Sequence, residues 1–189
     1  MPLRLVILGR QGSGKGTQCE NLSSRYGIPH ISTGEMLRSA VAEGTSFGTQ
    51  AKEHMDAGDL VPDDIVIGVV EERFRLPDTV DRGFLLDGFP RNVAQAKALD
   101  ELTAPGGIDL ALLLDVPTDV VMGRLLDRAR GDDTRQAIER RLELYEEQTA
   151  PLVRWYEGEG KLATVDGIGS EDEVAERLYA VIDAGGAKG

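Results

Sequence analysis

An apolar run from Leu3 to Leu8 delivers the chain directly into Gly9-Arg10-Gln11-Gly12-Ser13-Gly14-Lys15-Gly16-Thr17, and a helix-like stretch begins at Lys15. Few folds accommodate a strand, a glycine-rich loop and a helix in that order. Glycine carries no Cβ, so such a loop can take positive φ values and turn several N–H groups towards one point, where phosphate oxygens accept them. Lys15 adds a mobile point charge, and the following helix adds the positive end of its dipole. The segment Gly12, Ser13, Gly14, Lys15, Gly16 and Thr17 is therefore expected to grip a nucleotide triphosphate. An ordinary strand-to-helix connection is the plainer reading, but the spacing of Gly9, four residues, then Gly14-Lys15 argues against it. Gly16 stands where the general loop pattern has Ser or Thr, and the hydroxyl arrives one residue later. Direct magnesium ligation by Thr17 stays open.

Apolar, β-rich stretches recur at Leu3 to Leu8, Pro29 to Ser32, Phe84 to Asp87, Leu110 to Val116 and Leu162 to Asp166. Helical patterns lie between most of them: Lys15 to Tyr26, Glu35 to Glu43, Thr45 to Ala57, Pro62 to Arg75, Asn92 to Glu101, Thr118 to Arg128, Arg135 to Tyr156 and Glu171 to Ala184. Pro151 is expected to kink or break the longest of these. The alternation predicts an α/β fold, a parallel five-stranded sheet covered by helices on both faces. A chain of 189 residues suits one domain, 1–189. Within it, several helices between the second and third strands predict an excursion over 32–61, and a polar turn at 129–133 interrupts two later helices.

The formal net charge of −12 argues against nucleic acid or an anionic membrane as partner. No stretch is apolar for long enough to span a bilayer, and the start lacks a signal peptide's cleavage site. The single cysteine, Cys19, fits a reducing cytoplasm and reads as a packing residue. No apolar surface stripe stands out, so a monomer is expected. Of the 21 basic residues only five are lysine, and six arginines crowd between Arg124 and Arg141. The planar guanidinium fork suits phosphate, so this cluster within an acidic chain reads as placed.

Asp87 closes an apolar strand whose carboxyl end should lie beside the glycine loop, where open α/β sheets bind ligands. An acidic group there can hold magnesium through water; the competing reading is a turn Asp bonding its own loop. Gly88-Phe89-Pro90 then aims Arg91 across the sheet's edge, and Arg38 follows the second strand in a comparable place. Arg124 and Arg128 share one helix face, while Arg130 and Arg141 flank the Asp132-Asp133 turn. His30 and His54 have no Cys or His at metal-ligand spacing, so both read as structural or exposed.

Together these blocks, GRQGSGKGT, STGEMLR, GDLVPDD, LLDGFPRNVAQA, the arginine helix with RGDDT, RRLELY and VDG, resemble the adenylate kinase family over nearly the whole chain. The resemblance implies reversible phosphoryl transfer from MgATP to AMP giving two ADP, with no general base. It implies that Gly12 to Thr17 hold ATP phosphates, that Arg124 lies against the adenine and that Gly169 touches its edge. Thr33, Arg38, Asp59, Leu60, Val61, Gly88, Phe89, Pro90, Arg91 and Gln95 would surround AMP within the 32–61 excursion and its neighbours. Arg128, Arg130 and Arg141 would gather on the transferring phosphates, Arg130 and Arg141 also facing AMP, with Asp132 and Asp133 arranging a short lid at 129–133. The extended lid and four-cysteine zinc site of longer relatives are missing here, so no zinc is expected.

Pyrimidine monophosphate kinases share most of these blocks. Gln95, four residues after Arg91, and Thr33 both point towards adenine, because a glutamine amide reaches further and offers donors and an acceptor to a purine edge. A P-loop switch protein is the rival from another class. Its Asn-Lys-x-Asp guanine motif is absent, and Gly88-Phe89-Pro90 departs from the Asp-x-x-Gly switch pattern.

Overall fold

The structure, a computed structural model, describes residues 2–127 and 134–186. Five strands, β1 (Leu3–Leu8), β2 (His30–Ser32), β3 (Gly83–Asp87), β4 (Leu110–Asp115) and β5 (Leu162–Asp166), form one parallel sheet in the order β2-β3-β1-β4-β5. The central strand shows why this sequence makes a doubly covered sheet. Val6 and Leu8 enter one apolar cluster with Leu86 and Ala111, whereas Leu5 and Ile7 enter another with Leu85 and Leu112. Side chains alternate across a strand, so an uninterrupted apolar run demands a helix layer on each face.

Helices α1 (Lys15–Tyr26), α2 (Thr33–Ala42), α3 (Ser46–Ala57), α4 (Asp63–Phe74), α5 (Pro77–Arg82), α6 (Val93–Leu102), α7 (Thr118–Asp127), α8 (Arg135–Leu144), α9 (Ala150–Gly158) and α10 (Glu171–Gly186) supply those layers. One layer carries α4, α6 and α9, seen in Val66, Leu99 and Leu152. The other carries α1, α7, α8 and α10, seen in Leu22, Val121, Ile138 and Leu178. The α/β fold class expected from the sequence holds. Among the described residues no helix is long and apolar enough to cross a membrane.

Two details sharpen or depart from the sequence expectations. The span from Arg135 to Tyr156 is two α-helices joined by a π turn, Tyr145–Thr149, closed by the Ala150 N–H donating to the Tyr145 carbonyl five residues back. Pro151, in the first turn of α9, has no N–H for the carbonyl of Glu147, and the wider turn keeps its ring clear of that group. Helix α5 is too short to show a period of its own and was not anticipated; Pro77 opens it. The 129–133 turn lies outside the described residues.

Helices α2 and α3 project from the sheet's edge as a hairpin, joined through Thr45, whose side chain accepts the Gly48 N–H at 3.0 Å. Gly48 is the crossing point: a Cβ there would run into the backbone of Ala40 and Val41. Gly48→Ala should therefore destabilise the protein, since overpacking against backbone costs ~1–3 kcal/mol and outweighs the ~1 kcal/mol gain in helix propensity. A urea unfolding midpoint equal to or above the wild-type value would contradict this packing.

Candidate active site

The carboxyl ends of β1, β2 and β3 open into one cleft of about 500 Å³. Gly14 is the residue on which its phosphate loop turns. At φ 97° it caps α1 from the left-handed region, where any side chain would be strained. Lys15 folds back over the loop and donates from Nζ to the carbonyls of Gly9 (2.8 Å) and Arg10 (2.9 Å). On the loop's outer side Arg124 donates from Nη1 to the carbonyls of Ser13 (3.3 Å) and Gly12 (3.4 Å).

Arg10 pins the loop's first leg. Its Nε and Nη2 donate to Glu146 Oε1 at 3.0 and 2.6 Å, its Nη1 reaches the Val116 carbonyl at 3.3 Å, and its guanidinium sits 5.2 Å from the centre of the Tyr145 ring. Glu146 and Tyr145 belong to the π turn. That turn also sends Thr149 Oγ1 to the Arg91 carbonyl at 2.8 Å, so one helical irregularity ties down both walls of the cleft.

Facing the loop stand three arginines. Arg91 donates from Nε to the Gly88 carbonyl (2.8 Å), and its backbone N–H donates to Gln95 Oε1 (2.8 Å). Burial lowers the affinity of its guanidinium for a proton, Asp87 opposes that, and the neighbouring charges of Arg141 and Arg38 lower it further. Arg141 donates to Gln11 Oε1 (3.4 Å) and to the Met55 carbonyl (3.1 Å), spanning from the phosphate loop to the projecting hairpin. Crowded cations in half-dry surroundings are what an anionic ligand relieves.

Asp87 lies between the two sides, at the end of β3 beside Ile7. Burial pushes its carboxyl pKa up, but the His30 imidazole, then Lys15 and Arg91, outweigh burial and hold it below the usual value. The carboxylate stays ionised at neutral pH, as cation binding through water requires.

Of the residues singled out in the sequence, Gly12, Gly14, Lys15, Gly16, Thr17, Arg38, Asp59, Leu60, Val61, Asp87, Gly88, Pro90, Arg91, Arg124 and Arg141 line this cleft. Ser13, Thr33, Phe89 and Gln95 lie beneath it, each no more than 2% exposed. Thr33 Oγ1 reaches the Asp87 carbonyl at 3.3 Å. Gln95 is held within a polar network: its Nε2 donates to Asp63 Oδ1 (2.6 Å), while Asn92 Nδ2 donates to the same oxygen at 3.1 Å. Gly169, in the β5–α10 connection, is exposed and does not border the cleft. Arg128, Arg130, Asp132 and Asp133 lie outside the described residues.

Sequence reasoning passed over Arg10, Glu146, Thr149 and Asp63, whose partners sit far along the chain. Arg140 pairs with Glu143 along α8 and also donates from Nε to Asp59 Oδ1 at 2.8 Å, which fastens the end of the hairpin to α8. A carboxylate just after Gly58 and an arginine beside Arg141 carry no spacing signal by themselves.

Comparison with known proteins gives a consistent picture. A family model described as adenylate kinase matches residues 7–161. The chain is 52% identical over 188 residues to an adenylate kinase of Stenotrophomonas maltophilia (strain K279a), covering 96% of this chain and 100% of that one. It is 50% identical over 182 residues to an adenylate kinase of Xanthomonas euvesicatoria, covering 93% and 97%. With an adenylate kinase of Parvibaculum lavamentivorans it shares 44% identity over 196 residues, covering 99% and 95%.

Glu146→Ala removes the carboxylate that holds Arg10. A half-exposed ion pair is worth ~0.5–1 kcal/mol, so triphosphate binding should weaken about 2- to 5-fold while the fold persists. Calorimetric titration with a non-hydrolysable triphosphate nucleotide measures this, and unchanged affinity would contradict the anchoring role of Arg10.

Proposed function

The chain belongs to the adenylate kinase family and catalyses reversible phosphoryl transfer from ATP to AMP, giving two ADP; from that premise we propose which of its residues carry the reaction. The observation that carries the assignment is the convergence of Arg38, Arg91 and Arg141 on one cleft, opposite the phosphate loop and Lys15.

In this reading the ATP phosphates occupy the loop from Gly12 to Thr17, with Lys15 leaving the Gly9 and Arg10 carbonyls to follow the terminal phosphates. Arg124 borders the adenine. The AMP phosphate takes Arg38, Arg91 and Arg141, and the base lies along Asp59 to Val61 and Gly88 to Pro90. Gln95 reads the adenine edge by exchanging one of its two protein partners for the base. Residues 32–61 act as the monophosphate-binding segment. The resemblance adds Arg128 and Arg130 on the phosphates, Asp132 and Asp133 in a lid at 129–133, and Gly169 at the ATP base.

An AMP phosphate oxygen attacks the terminal phosphorus of ATP, the new P–O bond forms as the bond to the leaving ADP oxygen breaks, and charge spreads over the equatorial oxygens. The attacking oxygen is already anionic at neutral pH, so no side chain must accept a proton. Alignment and charge neutralisation do the chemistry. The ionised Asp87 carboxylate, with the Thr17 hydroxyl in the same cleft, suits a magnesium ion held through water. Magnesium would neutralise phosphate charge as the nucleotide binds. We further infer that the enzyme works in the cytoplasm as a monomer; the lone buried cysteine supports that compartment.

Lys15→Ala and Arg91→Ala should each lower kcat by about 10²- to 10³-fold with the circular dichroism spectrum unchanged. Near-normal turnover in a coupled assay would contradict these roles. In the same assay AMP should be phosphorylated far faster than UMP or CMP, and a preference for either pyrimidine would overturn the reading of Gln95.

A further inference from the structure

Beneath the cleft the fold brings together three side chains that lie far apart in the chain. Cys19 on α1, His30 on β2 and Asp87 on β3 place a sulfur, a ring nitrogen and a carboxylate oxygen within 4.8 Å of one another. His30 Nε2 is 3.8 Å from Asp87 Oδ2. That nitrogen is buried and has no hydrogen-bond partner among the described residues, a condition that calls for an occupant of the gap. Cys19 is fully buried yet faces this polar company, and it forms no disulfide.

We propose that Cys19, His30 and Asp87 form a binding site for a thiophilic divalent cation of the zinc class, separate from the magnesium carried by the nucleotide. One thiolate, one imidazole and one carboxylate make the mixed donor set that zinc accepts and that magnesium, which requires oxygen ligands throughout, does not. Metal–donor bonds of about 2.0–2.3 Å need the three groups to draw in by roughly 1 Å, a side-chain rotation rather than a change of fold. The charges balance: the two negative charges of thiolate and carboxylate match the ion's two positive charges, so the buried complex is neutral. Lys15 acts on both anionic ligands and also donates to the Gly9 and Arg10 carbonyls.

Binding breaks the Sγ–H bond, forms an Sγ–metal bond and releases one proton to solvent, with no change of oxidation state. A hollow of about 410 Å³ beside α2 is bordered by His30, Glu35 and Glu43. An ion seated here takes Asp87 away from nucleotide-bound magnesium and slows phosphoryl transfer, a consequence that rests on the role given to Asp87 above.

Cobalt(II), added to the whole nucleotide-free protein, is the probe. A sulfur-to-cobalt charge-transfer band should appear in the near ultraviolet, be abolished by one equivalent of zinc, and be missing in Cys19→Ala. His30→Gln keeps the thiol and guards against a packing defect in the cysteine variant. Its zinc affinity should fall by more than the roughly 10- to 100-fold that losing even an outer-sphere partner costs. No band in the wild type, a band that survives in Cys19→Ala, or undiminished zinc affinity in His30→Gln overturns the site. With MgATP and AMP present, zinc should slow the wild type and spare Cys19→Ala, whose basal rate stays normal. A cobalt band without inhibition upholds the site and counts against the magnesium role of Asp87.

Discussion

Repulsion among Arg38, Arg91 and Arg141 is the constraint to which the surrounding structure answers. Bringing three guanidinium groups to one half-buried place lowers the proton affinity of Arg91, and a chain with a net charge of −12 could have dispersed them at less cost. It holds them instead. Arg91 is fixed at three points, through Gly88, Gln95 and Thr149, and Arg141 is stretched between Gln11 and Met55. A scaffold that fixes cations before an anion arrives spares the ligand the work of gathering them, the preorganisation on which electrostatic catalysis depends. The cleft is thus a local inversion of the protein's overall charge.

The π turn at Tyr145–Thr149 is the mechanical centre of this arrangement. An unbroken α-helix through Pro151 would set the proline ring against the Glu147 carbonyl. The wider turn relieves that conflict and in doing so places Glu146 and Tyr145 on Arg10 and Thr149 on Arg91. Phosphate loop and arginine wall therefore share one support. In the proposed mechanism, where placement supplies the rate, that shared support fixes the distance over which the phosphoryl group travels.

Much of this was legible in the sequence, for definite reasons. Strand β1 and helix α1 were read to the residue because an apolar run ending in glycine and a capped amphipathic helix are local signals. Asp87 and Arg91 were found because both follow directly from a strand end. What escaped depends on contacts between distant segments. Arg10 drew no reading of its own, because its partner Glu146 lies far along the chain. Gln95 was expected to address the adenine edge; its depth and its bonds to Asp63 and the Arg91 N–H were not legible, since sequence spacing gives direction along a helix but not depth. His30 was read as structural or exposed because no Cys or His stands at metal-ligand spacing along the chain; that Cys19 and Asp87 approach it from two other elements is a matter of the fold.

The central claim is that the arginine cluster exists to hold the monophosphate group. Calorimetric titration of AMP and of adenosine into the wild type and into Arg91→Ala, at one ionic strength, tests it most directly. A charge-assisted hydrogen bond is worth ~1.5–3 kcal/mol, so the variant should lose about 10- to 100-fold of the preference for AMP over adenosine while binding adenosine as before. A variant that retains the full preference would contradict the account.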